Sequence, residues 1–239
     1  MTAFHSLTER LRVSLGEHVA VHTHLNPVLQ NLSIFDAVQL TSILQQYSIL
    51  PGALVVFLAA VRDRAASAGW EIAAQELDKN LAEEMGSKTE GVPHADLLAE
   101  GLELCLNVPI KTAIPSTATV AFRERLVGMT EQPIAYLFGA AYAIEATAVP
   151  ELTIITQLLD LLLEGAMPDR LRYFFEMHLN EWEPEHEAQL QQAIAAHLTS
   201  DQFNAFEIGF CAMLTTMDSW WSGLVAEALT GRRVSLEIC

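Results

Sequence analysis

Apolar side chains recur at intervals of three and four residues along almost the whole chain, and Gly and Pro fall between these periodic stretches. This spacing is typical of amphipathic α-helices, and no stretch shows the alternation expected of a half-buried strand. The sequence therefore predicts an all-α protein. We expect a compact single-domain helical bundle over residues 1–239, with roughly eight to ten helices.

Polar residues and prolines mark where the helices are expected to begin. A Ser33–Asp36 start predicts a helix to about Tyr47, and Pro51 suits the first turn of the next helix, which ends near Gly69. Pro150 is expected to begin a separate helix, because a proline inside a helix removes a hydrogen bond. The other expected helices cover residues 72–84, 94–106, 117–128, 131–147, 150–163, 169–178 and 200–229.

Composition and charge narrow the class of protein. With 51% hydrophobic and 18% charged residues the chain is globular, and its formal net charge of −17 repels nucleic acid and anionic membrane surfaces. The longest uncharged apolar runs, 49–61 and 134–144, are too short to span a membrane, and the first residues show no secretory signal. We expect a cytoplasmic protein with no nucleic-acid partner and no membrane partner.

The cysteines do not indicate a disulfide framework or a thiolate metal site. Cys105, Cys211 and Cys239 lie far apart, are odd in number and form no CxxC pair. Cys105 and Cys211 stand in apolar contexts and are expected to be small core residues.

Carboxylates and histidines within apolar helical stripes are the candidate functional residues, since sites in helical bundles are built from inward side chains. Glu145 interrupts the apolar run IAYLFGAAYAIEATAVP. A buried carboxylate is costly unless it is paired or binds a metal, although Glu145 on a narrow exposed strip remains an alternative. Glu84 and His94, ten positions apart, could face one cavity. The alternative is that Glu83, Glu84 and Glu90 form an ordinary solvated acidic face.

Two histidines in FFEMHLNEWEPEHEAQL form a further candidate pair. His178 and His186 are a little over two helical turns apart and share a face if the helix is continuous through Pro184. Imidazole and carboxylate without thiolate suit iron, manganese or zinc, and oxygen chemistry would favour iron. The single ExxH unit, Glu183 to His186, does not fit the two units of a ferritin-type di-iron bundle.

Three N-terminal histidines, His18, His22 and His24, are also close in sequence. Two of them have the spacing of a zinc pair, but a surface role is favoured because the third is out of phase.

Taken in order along the chain, the candidates resemble the ligands of a known superfamily. The order of these residues resembles that in the haem-oxygenase-like di-iron oxidases and oxygenases: Glu84, Gly86 and His94 come first, then the lone Glu145, then the stretch His178–His186. The chain looks like a CADD-like member of this superfamily. The resemblance covers most of the chain. This superfamily is structurally akin to TenA-type thiaminase-II and to the quinone-cofactor synthesis protein C, PqqC.

The resemblance implies a haem-oxygenase-like bundle with an internal site for Fe(II), one ion or two, and O₂ as co-substrate. Its small-molecule substrate would be an amino acid, a fatty acid or an aromatic metabolite. Carried over position by position, the implied metal ligands are Glu84, His94, Glu145, His178 and His186.

One position departs from the resembling pattern. The superfamily has an Asp four residues after the first histidine of the last stretch, and this chain has Trp182 there. An indole cannot ligate a metal, so a local bulge in the helix around Pro184 would have to bring in a substitute. The acidic candidates are Glu185 and Glu183, with Glu181 as a third. Without a substitute the site would hold one metal or none.

Two other functions remain open from the sequence. Trp182 motivates a metal-free bundle that binds an apolar or amphipathic small ligand in the same cavity. A hydrolase similar to thiaminase-II would need a nucleophile facing the cavity, for which Cys211 is the plausible thiol. The apolar helix faces are compatible with a homodimer.

Overall fold

The computed structural model describes residues 3–16, 18, 22 and 24–234, and within these residues there is no strand. The predicted all-α class is confirmed. In chain order the α-helices are α1 (Ala3–Leu15), α2 (Pro27–Gln30), α3 (Ala37–Tyr47), α4 (Leu50–Ser67), α5 (Glu71–Glu84), α6 (His94–Leu106), α7 (Thr117–Met129), α8 (Ile134–Leu162), α9 (Asp169–Met177), α10 (Glu183–Ala195) and α11 (Phe203–Val234). Short 3₁₀ turns cover Leu32–Ile34 and Ser200–Gln202, and a π-helical turn, His178–Trp182, joins α9 to α10.

The ends of the helices follow local chemistry. The Asp36 side chain accepts a hydrogen bond from the Gln39 backbone N–H at 2.9 Å, and the Gln39 side chain accepts one from the Asp36 N–H at 2.9 Å. This capping box begins α3 at Asp36, three residues after the expected Ser33. A proline in the first turn opens α4, and α6 has the predicted bounds.

The structure corrects the expected break at Pro150, because α8 continues through this residue as one helix. A proline inside a helix costs about 3 kcal/mol. Buried side chains on both sides of Pro150, from Ala135 to Thr147 and from Glu151 to Leu159, pack into the core and outweigh that cost.

The two longest helices cross through a pair of glycines. A Cβ atom on Gly139 of α8 would lie 1.9 Å from the Phe206 carbonyl oxygen, and one on Gly209 of α11 would lie 2.0 Å from the Tyr136 carbonyl oxygen. Both backbones therefore approach as closely as glycine permits. The other helices pack around this central pair, which places one face of α8 at the middle of the bundle.

Two stretches, Ala37–Ser67 and Ile134–Leu162, are long and apolar enough to cross a membrane, whereas the uncharged apolar runs in the sequence predicted no such span. Within the bundle, 78% of the apolar window of the second stretch and 39% of that of the first are buried. The core helix of a bundle meets the same criteria, so length and composition are weak evidence for a membrane span here.

Candidate metal centre

A tight turn brings Glu84 and His94 together. Glu84 is the last residue of α5 and His94 the first of α6. Between them Gly86 has φ of +101°, and a Cβ there would lie 2.7 Å from the backbone of Gly91 and Val92. Only glycine fits this turn. As a result His94 Nδ1 lies 3.2 Å from Glu84 Oε1.

His178 completes what we call the first group: Glu84, His94 and His178. Its Nδ1 lies 2.7 Å from the Phe174 carbonyl oxygen and donates to it, which leaves Nε2 facing His94 Nδ1 at 3.2 Å. Both imidazoles are buried. The ligand atoms of the three residues all lie within 4.8 Å of one another.

The second group consists of Glu84, Glu183 and His186, whose ligand atoms also lie within 4.8 Å of one another. His186 Nδ1 is 3.9 Å from Glu183 Oε2 and 4.0 Å from Glu145 Oε2. Glu145 is 5% exposed and therefore lies in the interior rather than on an exposed strip. Glu84 belongs to both groups, so the structure holds candidate His/Glu metal-binding groups that share one carboxylate.

The π-helical turn explains how Glu183 reaches this site. Hydrogen bonds in a π-helix join residues five apart rather than four, so the residue one turn after His178 is Glu183 and not Trp182. Trp182 instead stacks on the His94 ring, with centroids 4.7 Å apart and planes at 7°. The helix is irregular immediately before Pro184, in the region where the sequence analysis required a bulge.

The alternative substitutes lie outside the two groups. Glu185 is exposed, and its carboxylate lies 3.8 Å from the ammonium groups of Lys79 and Lys88. Glu181 is also exposed. Of the three acidic candidates, the structure brings only Glu183 into the cavity.

Glu83 was a member of the solvated acidic face considered as an alternative, and the structure places its carboxylate in the interior instead. It is 4% exposed, and its Oε2 accepts hydrogen bonds from His186 Nε2 at 2.8 Å and from Lys88 Nζ at 2.9 Å. A carboxylate on the second ring nitrogen fixes the orientation of a metal-binding histidine and leaves the other nitrogen free. Glu83 lies three residues after the buried Asn80, a spacing that could have placed it on the inner face.

The pKa values show a shortage of positive charge among these groups. Burial and then the charge of Glu84 raise the pKa of Glu145 to about 7, and burial with the charges of Glu145 and Glu84 raises the pKa of Glu183. Burial lowers the pKa of His178 to about 4. Burial acts to raise the pKa of Glu84, but the His94 hydrogen bond and the nearby imidazoles lower it. A bound cation would offset the three carboxylates.

The donor set fits a divalent transition metal. Imidazole nitrogens bind such an ion at about 2.1 Å, which places two adjacent ligands about 3.0 to 3.4 Å apart. The 3.2 Å separations within the first group fall in this range. In the second group, the 3.9 Å between His186 Nδ1 and Glu183 Oε2 lies below the roughly 4.2 Å between ligands on opposite sides of one ion. The 4.0 Å from His186 Nδ1 to the neighbouring Glu145 Oε2 does so as well. Imidazole and carboxylate without thiolate suit iron, manganese or zinc.

Other candidates from the sequence lie elsewhere. Cys211 is exposed and does not line the cavity, so it is neither the core residue nor the cavity nucleophile considered above. Cys239 lies outside the described residues. None of His18, His22 and His24 belongs to either group; the rings of the last two are 5.5 Å apart near the N-terminus.

Both groups open into one apolar cavity of about 100 Å³ between α4, α6, α8 and α9. Its walls are mainly aliphatic side chains, among them Leu50, Leu54, Leu98 and Leu152. The polar lining residues other than the metal-binding candidates are Tyr47, Asn80 and Glu151. The arrangement offers a cation site beside a dry space for a small organic molecule.

Comparisons with known proteins agree with this fold. No curated protein matches the chain significantly. One crystal structure of a CADD-like protein of unknown function from Nostoc punctiforme PCC 73102, at 2.00 Å, superposes with a TM-score of 0.91 and 44% identity over 94% of this chain and 98% of that one. A second, at 1.35 Å, gives a TM-score of 0.90 and 42% identity over 95% and 96%.

These similarities support the CADD-like resemblance. Residues 5–227 match the family described as "Domain of Unknown Function with solved-structure structure (DUF3865)". The chain therefore belongs to the DUF3865 family and is CADD-like.

Proposed function

We propose that this chain is a haem-oxygenase-like non-haem iron enzyme that binds two Fe(II) ions and oxidises a small organic molecule with O₂. The observation that carries the proposal is the sharing of Glu84 by the first and second groups. A carboxylate between two sets of ligands can contact two ions at once. The first group would hold one ion, and the second group, with Glu145, would hold the other.

When bound, iron would supply the electrons and the open coordination positions that O₂ reduction needs. The chain's own residues hold the ligands in place and keep water out. His178 is fixed by the Phe174 carbonyl, and His186 is fixed by Glu83. The aliphatic walls make the cavity a medium of low dielectric, in which fixed polar groups act strongly on a substrate.

Trp182 no longer motivates a metal-free function. That alternative rested on an indole at the position where the superfamily has a ligand. In this chain Glu183 lies in the cavity beside His186, and Trp182 stacks on the His94 ring, which supports the proposal. We therefore favour the metal-dependent function.

The iron content of the loaded protein tests the proposal directly. The purified chain would be loaded anaerobically with Fe(II), desalted and analysed for iron. We expect about two ions per chain, because two ligand groups are present. The double variant His94→Ala, Glu145→Ala removes one candidate ligand of each ion and should lose both ions. Glu181→Ala changes an exposed carboxylate in the π-helical turn and should keep both ions.

If the wild type retains no more iron than the double variant, the proposal is wrong. With iron retained, O₂ consumption by the loaded chain in the presence of candidate small molecules would identify substrates. Mössbauer spectra of ⁵⁷Fe-loaded protein would separate two coupled ions from two independent ones.

A further inference from the structure

The cavity has a second polar end that the metal-binding candidates do not explain. Glu151 is 3% exposed and lies on α8 six residues after Glu145, which is about 9 Å further along the helix axis. Tyr47 of α3, 5% exposed, lines the cavity at the same end. The cavity thus extends from the Glu84 carboxylate to a separate carboxylate and phenol.

The polar atoms at this end are incompletely satisfied. Glu151 Oε1 accepts a hydrogen bond from Trp221 Nε1 at 3.0 Å, and this is its one side-chain hydrogen bond among the described residues. No hydrogen bond to the Tyr47 hydroxyl is formed by the described residues. Burial raises the pKa of Tyr47, and the nearby charges of Glu151 and then Glu183 raise it further. Buried polar groups are normally paired, so these atoms need a partner that enters the cavity.

The charge at this end specifies the kind of partner. No Lys or Arg occurs among the described residues that line the cavity, while Glu151, Glu145, Glu183 and Glu84 all do. Burial raises the pKa of Glu151 to about 7, which reflects a carboxylate without a nearby cation. A carboxylate-bearing ligand would be repelled at this end, whereas an ammonium group would supply the missing charge and three hydrogen-bond donors.

We propose that Glu151 and Tyr47 bind the ammonium group of a primary amine whose apolar body lies along the aliphatic walls and whose far end reaches the Glu84 side of the cavity. This subsite rests on the proposed function for its role as a substrate site. Its ligand chemistry does not depend on which metal is bound. The substrate class is therefore an apolar amine rather than a fatty acid.

A purely structural role for Glu151 makes a different prediction. If the carboxylate served only as the acceptor for the Trp221 indole, a neutral Gln would accept the same hydrogen bond and nothing else would change. An ammonium site instead requires the negative charge. Glu151→Gln therefore separates the two roles while preserving the link between α8 and α11.

The test is calorimetric titration of the purified chain, metal-free and iron-loaded, with n-hexylamine, n-hexanol and n-hexanoate. We expect hexylamine to bind at least about tenfold more tightly than the other two, since charge-assisted hydrogen bonds are about twice as strong as neutral ones. Glu151→Gln should remove that preference with unchanged circular dichroism. Glu181→Gln, with its exposed carboxylate, should bind like the wild type.

Two results would overturn the subsite. One is hexanoate binding as tightly as hexylamine, which the wild type tests even if Glu151→Gln does not fold. The other is an equal loss of hexylamine binding in Glu145→Gln and Glu151→Gln, which would place the amine at the metal-binding residues. Preferential amine binding without iron retention would support the subsite and contradict the proposed function. Iron retention without a preference for the amine would support the proposed function and contradict the subsite.

Discussion

The first and second groups share Glu84 but are held by different forces. In the first group, His178 donates to the Phe174 backbone carbonyl, and the His94 ring stacks on Trp182. In the second group, His186 is hydrogen-bonded to Glu83, which pairs with the partly exposed Lys88. Backbone and aromatic contacts fix the first group, whereas charges that reach the surface fix the second.

This difference indicates how the two groups should respond to change. In the first group, His94 Nδ1 lies 3.2 Å from both Glu84 Oε1 and His178 Nε2, which is the spacing of adjacent ligands of one ion. In the second group, His186 Nδ1 is 3.9 Å from the Glu183 carboxylate and 4.0 Å from the neighbouring Glu145 carboxylate. Carboxylates outnumber imidazoles there, so a bound cation would offset more negative charge than in the first group. We expect the second group to be the more sensitive to pH and to substitution of its neighbours.

The largest effect is expected for Glu84→Ala, because this substitution removes the carboxylate that both groups share. Iron content after anaerobic loading should fall to the level of a metal-free sample. Glu176→Ala, an exposed carboxylate on α9, is the matched control and should retain both ions. Retention of one ion by Glu84→Ala would show that the two groups bind their ions independently and that Glu84 does not link them.

Glu83→Gln is expected to have a smaller effect, and to weaken the binding of only one of the two ions. Loss of a carboxylate that orients a metal-binding histidine typically lowers metal affinity by about 10- to 100-fold. Only the ion of the second group should weaken, which metal titration would show as one tight and one weakened binding step. Glu185→Gln removes an exposed carboxylate that lies 3.8 Å from the Lys88 ammonium group and should leave both steps unchanged. Equal weakening of both steps by Glu83→Gln would contradict the division into two groups.

Part of this candidate site could be predicted from sequence, since Glu145 stands out as a lone carboxylate within an apolar helix. The pairing of Glu84 with His94 was weak by itself and gained support from the order of the candidates along the chain, which resembles that of the superfamily. The bounds of α6 were also predictable, because a proline precedes it and its apolar residues recur at helical spacing. Other features depend on tertiary packing. Burial on both sides of Pro150 decides that α8 continues, and the pairing of Glu83 with His186 depends on two helices distant in sequence.

The choice between Glu183 and Glu185 shows where spacing alone fails. In a regular α-helix, neither residue lies one turn after His178, and a one-residue change in register rotates every later side chain by about 100°. The π-helical turn supplies that change. Its position is set by what packs against the helix, including the stacking of Trp182 on His94.

Acid should release the two ions at different pH values. Because the pKa of Glu145 is raised to about 7, a proton occupies this carboxylate below neutral pH and must leave before a metal binds. The pKa of Glu183 is raised as well, which acts in the same direction. Affinity in the second group should fall by about tenfold per pH unit below 7 for each proton displaced. Burial lowers the pKa of His178 to about 4, so its proton competes in the first group only near that pH.

Metal titrations at pH 8, 7, 6 and 5 would measure this separation. We expect the binding step that involves Glu145 to weaken steadily below pH 7, and the other step to weaken less over the same range. The Glu181→Ala variant, whose altered carboxylate is exposed, should reproduce the wild-type profile. Simultaneous loss of both ions near pH 6.5, the ordinary imidazole range, would mean that the histidines of both groups behave alike and that their different surroundings are unimportant.

The smallest effect is expected for the deletion of Asn180, an exposed residue in the π-helical turn. Removing one residue would allow hydrogen bonds between residues four apart to replace those between residues five apart. Glu183 and His186 would then stand four and seven positions after His178, where a regular α-helix keeps them on one face. Both metal-binding steps should persist within a few-fold of the wild-type affinity.

Deletion of Glu185 is the matched control. Glu185 lies between Glu183 and His186, so its removal must rotate one of these two side chains away, and the second binding step should be lost. If deletion of Asn180 weakened the second metal-binding step as much as deletion of Glu185, the π-helical turn would do more than set the register. The stacking of Trp182 on His94 would then be needed for metal binding as well.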